Sequence, residues 1–246
     1  MTRIDEIADH IYRINTPVPP SAVPGGFSFN QYLVVDDEPL LFHTGGRRLA
    51  PAVIEAIGRV IPIEQLRWIS FGHVESDECG GLNDLLAAAA NARPLCGRVA
   101  AMVSMNDLAD REPRAVGDGE VVSIGSKKLR WIDAPHVPHA WENGLLFEET
   151  GRTLLCGDLF TQPGPGDVAL TEADILGPSE AFRAAMDYYS HTSLARATLD
   201  KIAATKPTTL ACMHGSAWRG DGAKLLDALA SAFSADARGA TPGPRP

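Results

Sequence analysis

The sequence predicts an α/β protein of four layers, two mixed β-sheets packed face to face with helices on both outer sides. Periodicity alone reaches only a single α/β domain. Two further observations give the layers. Strand-like segments are grouped into hairpins followed by helical segments, and this order occurs once in each half of the chain. At 246 residues, 45% of them hydrophobic, the chain is long enough for one large core.

In order, His10 to Asn15 alternates apolar and polar residues as a short edge strand does. Residues 16–26 form a proline- and glycine-rich loop suited to a binding rim. Phe27 to Val35 and Leu40 to His43 read as strands, with Asp36-Asp37-Glu38-Pro39 as the turn between them. Leu49, Val53, Ile57 and Val60 have helical spacing. An apolar strand, Leu66 to Phe71, leads into His73-Val74-Glu75-Ser76-Asp77-Glu78-Cys79-Gly80-Gly81, and helix Leu82 to Ala92 follows. A short strand near Leu95 and a helical stretch to Asp110 complete this half.

Two hairpins open the second half. Glu120 to Ile124 pairs with Lys127 to Ile132, and Leu145 to Glu148 pairs with Thr153 to Cys156. Helices are expected over Pro178 to Tyr189 and Ser193 to Ala204, a last strand over Thr208 to Met213 and a last helix over Gly222 to Phe233. One domain is thus expected over residues 1–234, with a loose tail over 235–246.

The net charge of −9 argues against nucleic acid or an anionic membrane as partner. Cys79, Cys96, Cys156 and Cys212 form no C-x-x-C pair, and burial as reduced thiols is expected of the last three. No apolar run approaches a membrane span, and the N-terminus carries no signal-like segment, so the expected location is the cytoplasm.

His73, Glu75 and Asp77 stand at alternate positions after a strand, and extended backbone would point all three to one side. His139, Asp158 and His214 also fall where strands end, the last two beside glycines that let the chain turn. Alone, each has an ordinary reading as a cap or a hydrogen-bonded imidazole. Together, six metal-capable residues at strand ends weaken those ordinary readings and suggest a metal site.

On these residues the chain resembles the metallo-β-lactamase superfamily, whose metal motif is H-x-[HE]-x-D followed at long intervals by His, Asp and His. The interval of 19 residues from His139 to Asp158 fits that pattern, whereas His136 would stretch it to 22 and is read as supporting the site from behind. Glu75 in place of a second histidine narrows the resemblance to the flavodiiron branch, and to its stand-alone oxygen-binding diiron relatives. It runs from about residue 8 to 220 and includes Gly26 to Tyr32, Pro39 to Gly45 and Met213-His214-Gly215.

The resemblance implies that His73, Glu75 and His139 hold one metal, that Asp77 and His214 hold the other, and that Asp158 bridges. Asp77 and Asp158 are the expected catalytic pair. Two departures stand out. Glu78 occupies a position that is often histidine, and is expected to point outward as a solvated acid, with a role as fourth ligand the alternative. His43 replaces an aspartate and is a candidate to brace a ligand. His10 and His191 read as incidental.

Three carboxylates against two dipositive ions leave one positive charge, which one hydroxide neutralises. The hard oxygen of Glu75 favours two iron ions, with manganese or zinc as alternatives. The expected function is binding of dioxygen, as sensor or as reductase. Nothing resembles a flavodoxin module, so no in-chain flavin is expected and electrons would come from an external redox donor. The alternative is a hydrolase in which a metal-bridged hydroxide attacks a phosphodiester or thioester. A binding module that keeps its metals as structure is a third class. A homodimer is compatible with all three.

Overall fold

The computed structural model describes residues 1–239 of the chain. Seven strands form the first sheet in the order β1-β2-β3-β4-β5-β6-β7: Arg3–Ala8, Ile11–Val18, Phe27–Val34, Leu40–Phe42, Trp68–Ser70, Arg93–Gly97 and Arg114–Val116. The second sheet takes β8 (Val121–Ser123), β9 (Lys128–Asp133), β10 (Gly144–Glu148), β11 (Thr153–Leu155), β12 (Leu170–Thr171), β13 (Thr209–Ala211) and β14 (Ala217–Arg219). Its order is β12-β14-β13-β11-β10-β9-β8. Both sheets are mixed: β1 to β4 and β8 to β11 pair antiparallel, whereas β4 to β7 and the β11–β13 pair run parallel.

The helices are α1 (Ala50–Ile57), α2 (Ser76–Cys79), α3 (Leu82–Ala88), α4 (Arg98–Ala100), α5 (Asn106–Leu108), α6 (Leu176–Met186), α7 (Ala195–Ala203) and α8 (Gly222–Gly239). A π-helical stretch, Ala101–Met105, joins α4 to α5.

Strand alternation builds the layers. On β3 and β4, Leu33 and Leu41 pack under α1 and α3, while Tyr32, Val34, Leu40 and Phe42 face the other sheet. On β11 and β13, Leu155 and Ala211 face inward, while Leu154 and Leu210 pack under α6, α7 and α8. Three buried apolar clusters therefore lie between four layers, as expected of two sheets sandwiched by helices. Among the described residues no helix is long and apolar enough to cross a membrane.

Several elements depart from the sequence reading. The edge of the first sheet is β1, and β2 lies inside it, running on through Pro17 into the segment expected to be loop. β1 buries Ile7 between the sheets and packs Ile4 under the helices, so no one-faced alternation marks it. β7, β12 and β14 also escaped, each only two or three residues long. α8 runs on past Phe233 to Gly239, and residues 240–246 of the expected tail lie outside the described residues.

The sheets are joined by polar bonds at one end. Asn30 N–H donates to the Met213 carbonyl (2.9 Å), Gly144 N–H to that of Gly72 (2.9 Å), and the Tyr32 hydroxyl to that of Cys212 (2.6 Å). β5, β9, β11 and β13 all deliver their following loops to this end.

Candidate metal centre

The segment after β5 does not stay extended. Glu75 has β geometry (φ −135°, ψ 157°), but Ser76–Cys79 forms α2. His73 and Glu75 therefore share one side, whereas Asp77 is carried round by the helical turn to face His214. This corrects the expectation of one extended run, and it lets a single loop serve two places.

Four donors lie within 4.8 Å of one another: one atom each from His73, Glu75, His139 and Asp158. His73 Nε2 is 2.8 Å from Glu75 Oε2 and 2.9 Å from His139 Nε2, and His139 Nε2 is 3.2 Å from Glu75 Oε2. Asp158 faces both ways. Its Oδ2 lies 3.4 Å from His139 Nε2 and 3.9 Å from His73 Nε2, while its Oδ1 lies 3.1 Å from His214 Nε2. Asp77 Oδ2 completes the second group, 3.6 Å from His214 Nε2. All six predicted residues are thus brought together, in two groups that share Asp158. His136 stands outside this cluster, with its N–H donating to the Ala140 carbonyl.

Each group is held from behind. His214 Nδ1 donates to the Ser28 carbonyl (2.8 Å), which leaves Nε2 facing the site. Gly215 has φ +87°, and a Cβ there would strike Gln162, so the turn that follows His214 requires glycine. Phe27 and Phe29 flank the imidazole at 4.4 and 5.5 Å between ring centroids, and Phe182 stacks on Phe27.

Glu78 is fully buried, which corrects the expectation of an outward, solvated acid. One of its oxygens accepts the N–H groups of Gly72 and His73, each at 2.7 Å. The other lies 3.3 Å from His43 Nε2 and 3.3 Å from His73 Nδ1. Glu78 therefore sits behind His73 and fixes it, with His43 on its other side. Gly72 leaves room for this contact, since a Cβ there would press on Glu78, Asn143 and the Gly144 carbonyl.

The electrostatics follow from burial. Desolvation would lower the His73 imidazole, but Glu78, Glu75 and Asp158 overcome it and push it up to about 12. His139 and His73 hold the Glu75 carboxyl well below its usual range. Burial raises Asp77, against the pull of His214. Burial would raise Glu78 too, but His43 and His73 keep it ionised.

The four-donor group fits a cation, and Asp77 and His214 offer donors for another beside Asp158. Two imidazole Nε2 atoms face each other at hydrogen-bond distance beside a carboxylate oxygen. Asp158 Oδ1 is buried against His214 Nε2 without an aligned hydrogen bond among the described residues. A cation in each group would satisfy donors that protons satisfy only in part.

Sequence reasoning missed Tyr188, whose hydroxyl donates to the Asp158 carbonyl (3.3 Å) and whose ring lies 5.9 Å from that of His139. It also missed Glu142, which accepts the Val74 N–H (3.1 Å) and ties the His139 loop to the loop carrying Glu75. No spacing marks either one. Only the fold brings α6 and the loop after it over the site.

The family model described as "ODP family beta lactamase" matches residues 27–215, which include all six clustered residues. The chain belongs to this ODP beta-lactamase family. The solved structures it resembles share its fold. This ODP-family chain superposes with a TM-score of 0.82 on a flavo di-iron protein mutant from Thermotoga maritima, at 19% identity over 95% of this chain and 62% of that one. A fragment of a putative diflavin flavoprotein from Nostoc gives 0.80 at 17% identity, covering 97% and 96%. Among curated proteins it is 25% identical to a nitric oxide reductase of Moorella thermoacetica, over 83% of this chain and 53% of that protein. It is also 25% identical to the rubredoxin-oxygen oxidoreductase of Megalodesulfovibrio gigas, over 80% and 50%. The ODP-family chain thus spans about half the length of the curated relatives it matches.

Proposed function

We propose that this chain is a binuclear non-haem iron protein that binds dioxygen, acting as a sensor or, with a separate electron donor, as a reductase. The observation that carries the reading is Asp158, one buried carboxylate with imidazoles on both sides. His73, Glu75 and His139 would hold one ion, and Asp77 and His214 the other, with Asp158 shared. Glu75 supports iron, because a hard anionic oxygen in place of the motif's second histidine favours iron or manganese over zinc. Two ferrous ions, when bound, supply two electrons and open coordination positions for a diatomic oxidant.

The chain's own residues do the rest. Glu78 and the Ser28 carbonyl hold His73 and His214 so that Nε2 of each faces the site. Phe27, Phe29 and Phe182 form an apolar wall beside His214. Burial keeps the Tyr188 hydroxyl protonated, as a fixed donor to the Asp158 backbone. Glu75, with its side chain 53% exposed, marks the side from which a small molecule enters. The names of two relatives, nitric oxide reductase and rubredoxin-oxygen oxidoreductase, support a diatomic substrate, and the second supports a protein electron donor.

The test is anaerobic purification after iron-replete growth, with metal analysis and an optical spectrum before and after air. We expect close to two irons per chain and a rapid spectral change in air, with sustained oxygen consumption only when a reductase is added. Zinc under these conditions, or an iron form inert to air, would sink the proposal.

A further inference from the structure

Cys156 and Cys212 stand directly behind the candidate centre. Each precedes a clustered residue by two positions, Asp158 in one case and His214 in the other. They follow β11 and β13, which run parallel with Leu155 opposite Ala211, and the Cys156 N–H donates to the Ala211 carbonyl at 3.2 Å. The two sulfurs are 3.8 Å apart and both residues are fully buried. Their remaining polar contacts are long, Cys156 Sγ to the Leu159 carbonyl at 3.8 Å and Cys212 Sγ to that of Leu210 at 3.9 Å. Neighbouring strands lie about 4.8 Å apart, within the roughly 4.4–6.8 Å between Cα atoms that a disulfide requires. Side-chain rotation therefore closes the bond while the strands stay in place.

Two thiols can also fill a core as small apolar side chains do. This pair differs in where it sits. At most about 7 Å of backbone separates each cysteine from the acid or imidazole after it. Both cysteines are also fully buried, which closes their sulfurs to oxidants and thiols in solvent. The centre is the redox partner within reach.

We propose that Cys156 and Cys212 form a buried two-electron donor to the metal centre, closing a disulfide as dioxygen is reduced. This rests on the dioxygen reading above. Reduction of one dioxygen to two waters takes four electrons and four protons. Two ferrous ions becoming ferric supply two electrons. Breaking two S–H bonds and forming one S–S bond supplies the other two electrons and two protons, and solvent supplies the last two protons. One chain thus completes one reduction without releasing peroxide, and the separate donor later restores all four electrons.

The experiment gives ferrous-loaded protein one equivalent of dioxygen anaerobically, quenches it in acid, alkylates free thiols and maps tryptic peptides without reduction. We expect the peptide of residues 153–183 joined to that of residues 202–219, lighter by two hydrogens and appearing in step with iron oxidation. Zinc-loaded protein treated alike should keep both thiols alkylatable, and the double variant Cys156→Ala/Cys212→Ala should release one peroxide for each pair of irons oxidised. Iron oxidised while both thiols remain free would overturn this inference and leave the dioxygen reading standing. A ferrous centre stable in air would remove both. A disulfide forming equally in the zinc form would show that the thiols oxidise without the centre, and would also overturn it. The wild-type map decides even where the double variant does not fold.

Discussion

Glu78→Gln removes one charge from behind His73 with almost no change in shape. In the wild type one carboxylate oxygen accepts the Gly72 and His73 N–H groups at 2.7 Å, and the other lies 3.3 Å from both His43 Nε2 and His73 Nδ1. Glutamine keeps one acceptor for the backbone and turns an NH₂ towards the two imidazoles. His73 Nδ1 then loses the anion that keeps its proton on that side, and Nε2 is no longer presented as a free ligand. Losses of this kind cost about 10–100-fold in metal affinity, or about 1.4–2.7 kcal/mol. Glu78→Ala goes further. It strands two buried N–H groups and leaves His73 without its counter-charge, which costs about 3–5 kcal/mol of fold stability. Competition with a coloured chelator measures the first effect and urea denaturation of the metal-free protein the second. Glu78→Gln binding both ions as tightly as wild type would refute the reasoning that Glu78 governs His73.

Asp158→Asn leaves neither group its shared anion, so metal content should fall from two ions to at most one per chain, and the spectral response to air should vanish. Glu75→His exchanges a hard oxygen for imidazole, and the zinc-to-iron ratio after growth in mixed metals should rise; an unchanged ratio would count against the role given to Glu75. Metal uptake should release protons. His73 is raised to about 12 in the metal-free chain, so the stabilisation from its charged form is complete below the unfolded value near 6.5 and is lost only as pH climbs through about 12. A metal must displace that proton at neutral pH. Apparent affinity should therefore rise with pH, by about tenfold per unit for each proton displaced, and titration in a weakly buffered dye solution would show it.

Much of this site is legible in the chain because its residues sit where strands stop. His73, His139, Asp158 and His214 each follow an apolar run, and that run fixes which end of the sheet they reach. The four layers are legible for a related reason. Tyr32 and Leu33, or Leu154 and Leu155, are apolar on both faces of their strands, as a sheet covered on both sides demands. What stayed hidden depends on contacts between distant segments. Glu78 looks like any acid in a polar loop until His43, 35 residues earlier, is folded against it. Asp77 is misdirected by its spacing, since alternation assumes extended chain and the backbone turns helical at Ser76. β1 and β14 are too short or too polar to announce themselves, and they exist because neighbouring strands offer them unpaired edges.

The account depends most on two metals sharing Asp158. Diffraction from crystals of the iron-loaded protein, collected on either side of the iron absorption edge, measures that directly. Two anomalous peaks about 3–4 Å apart are expected, one beside His73, Glu75 and His139 and the other beside Asp77 and His214, with the Asp158 carboxylate between them. A single peak, or a peak bound to His136 in place of His139, would contradict it.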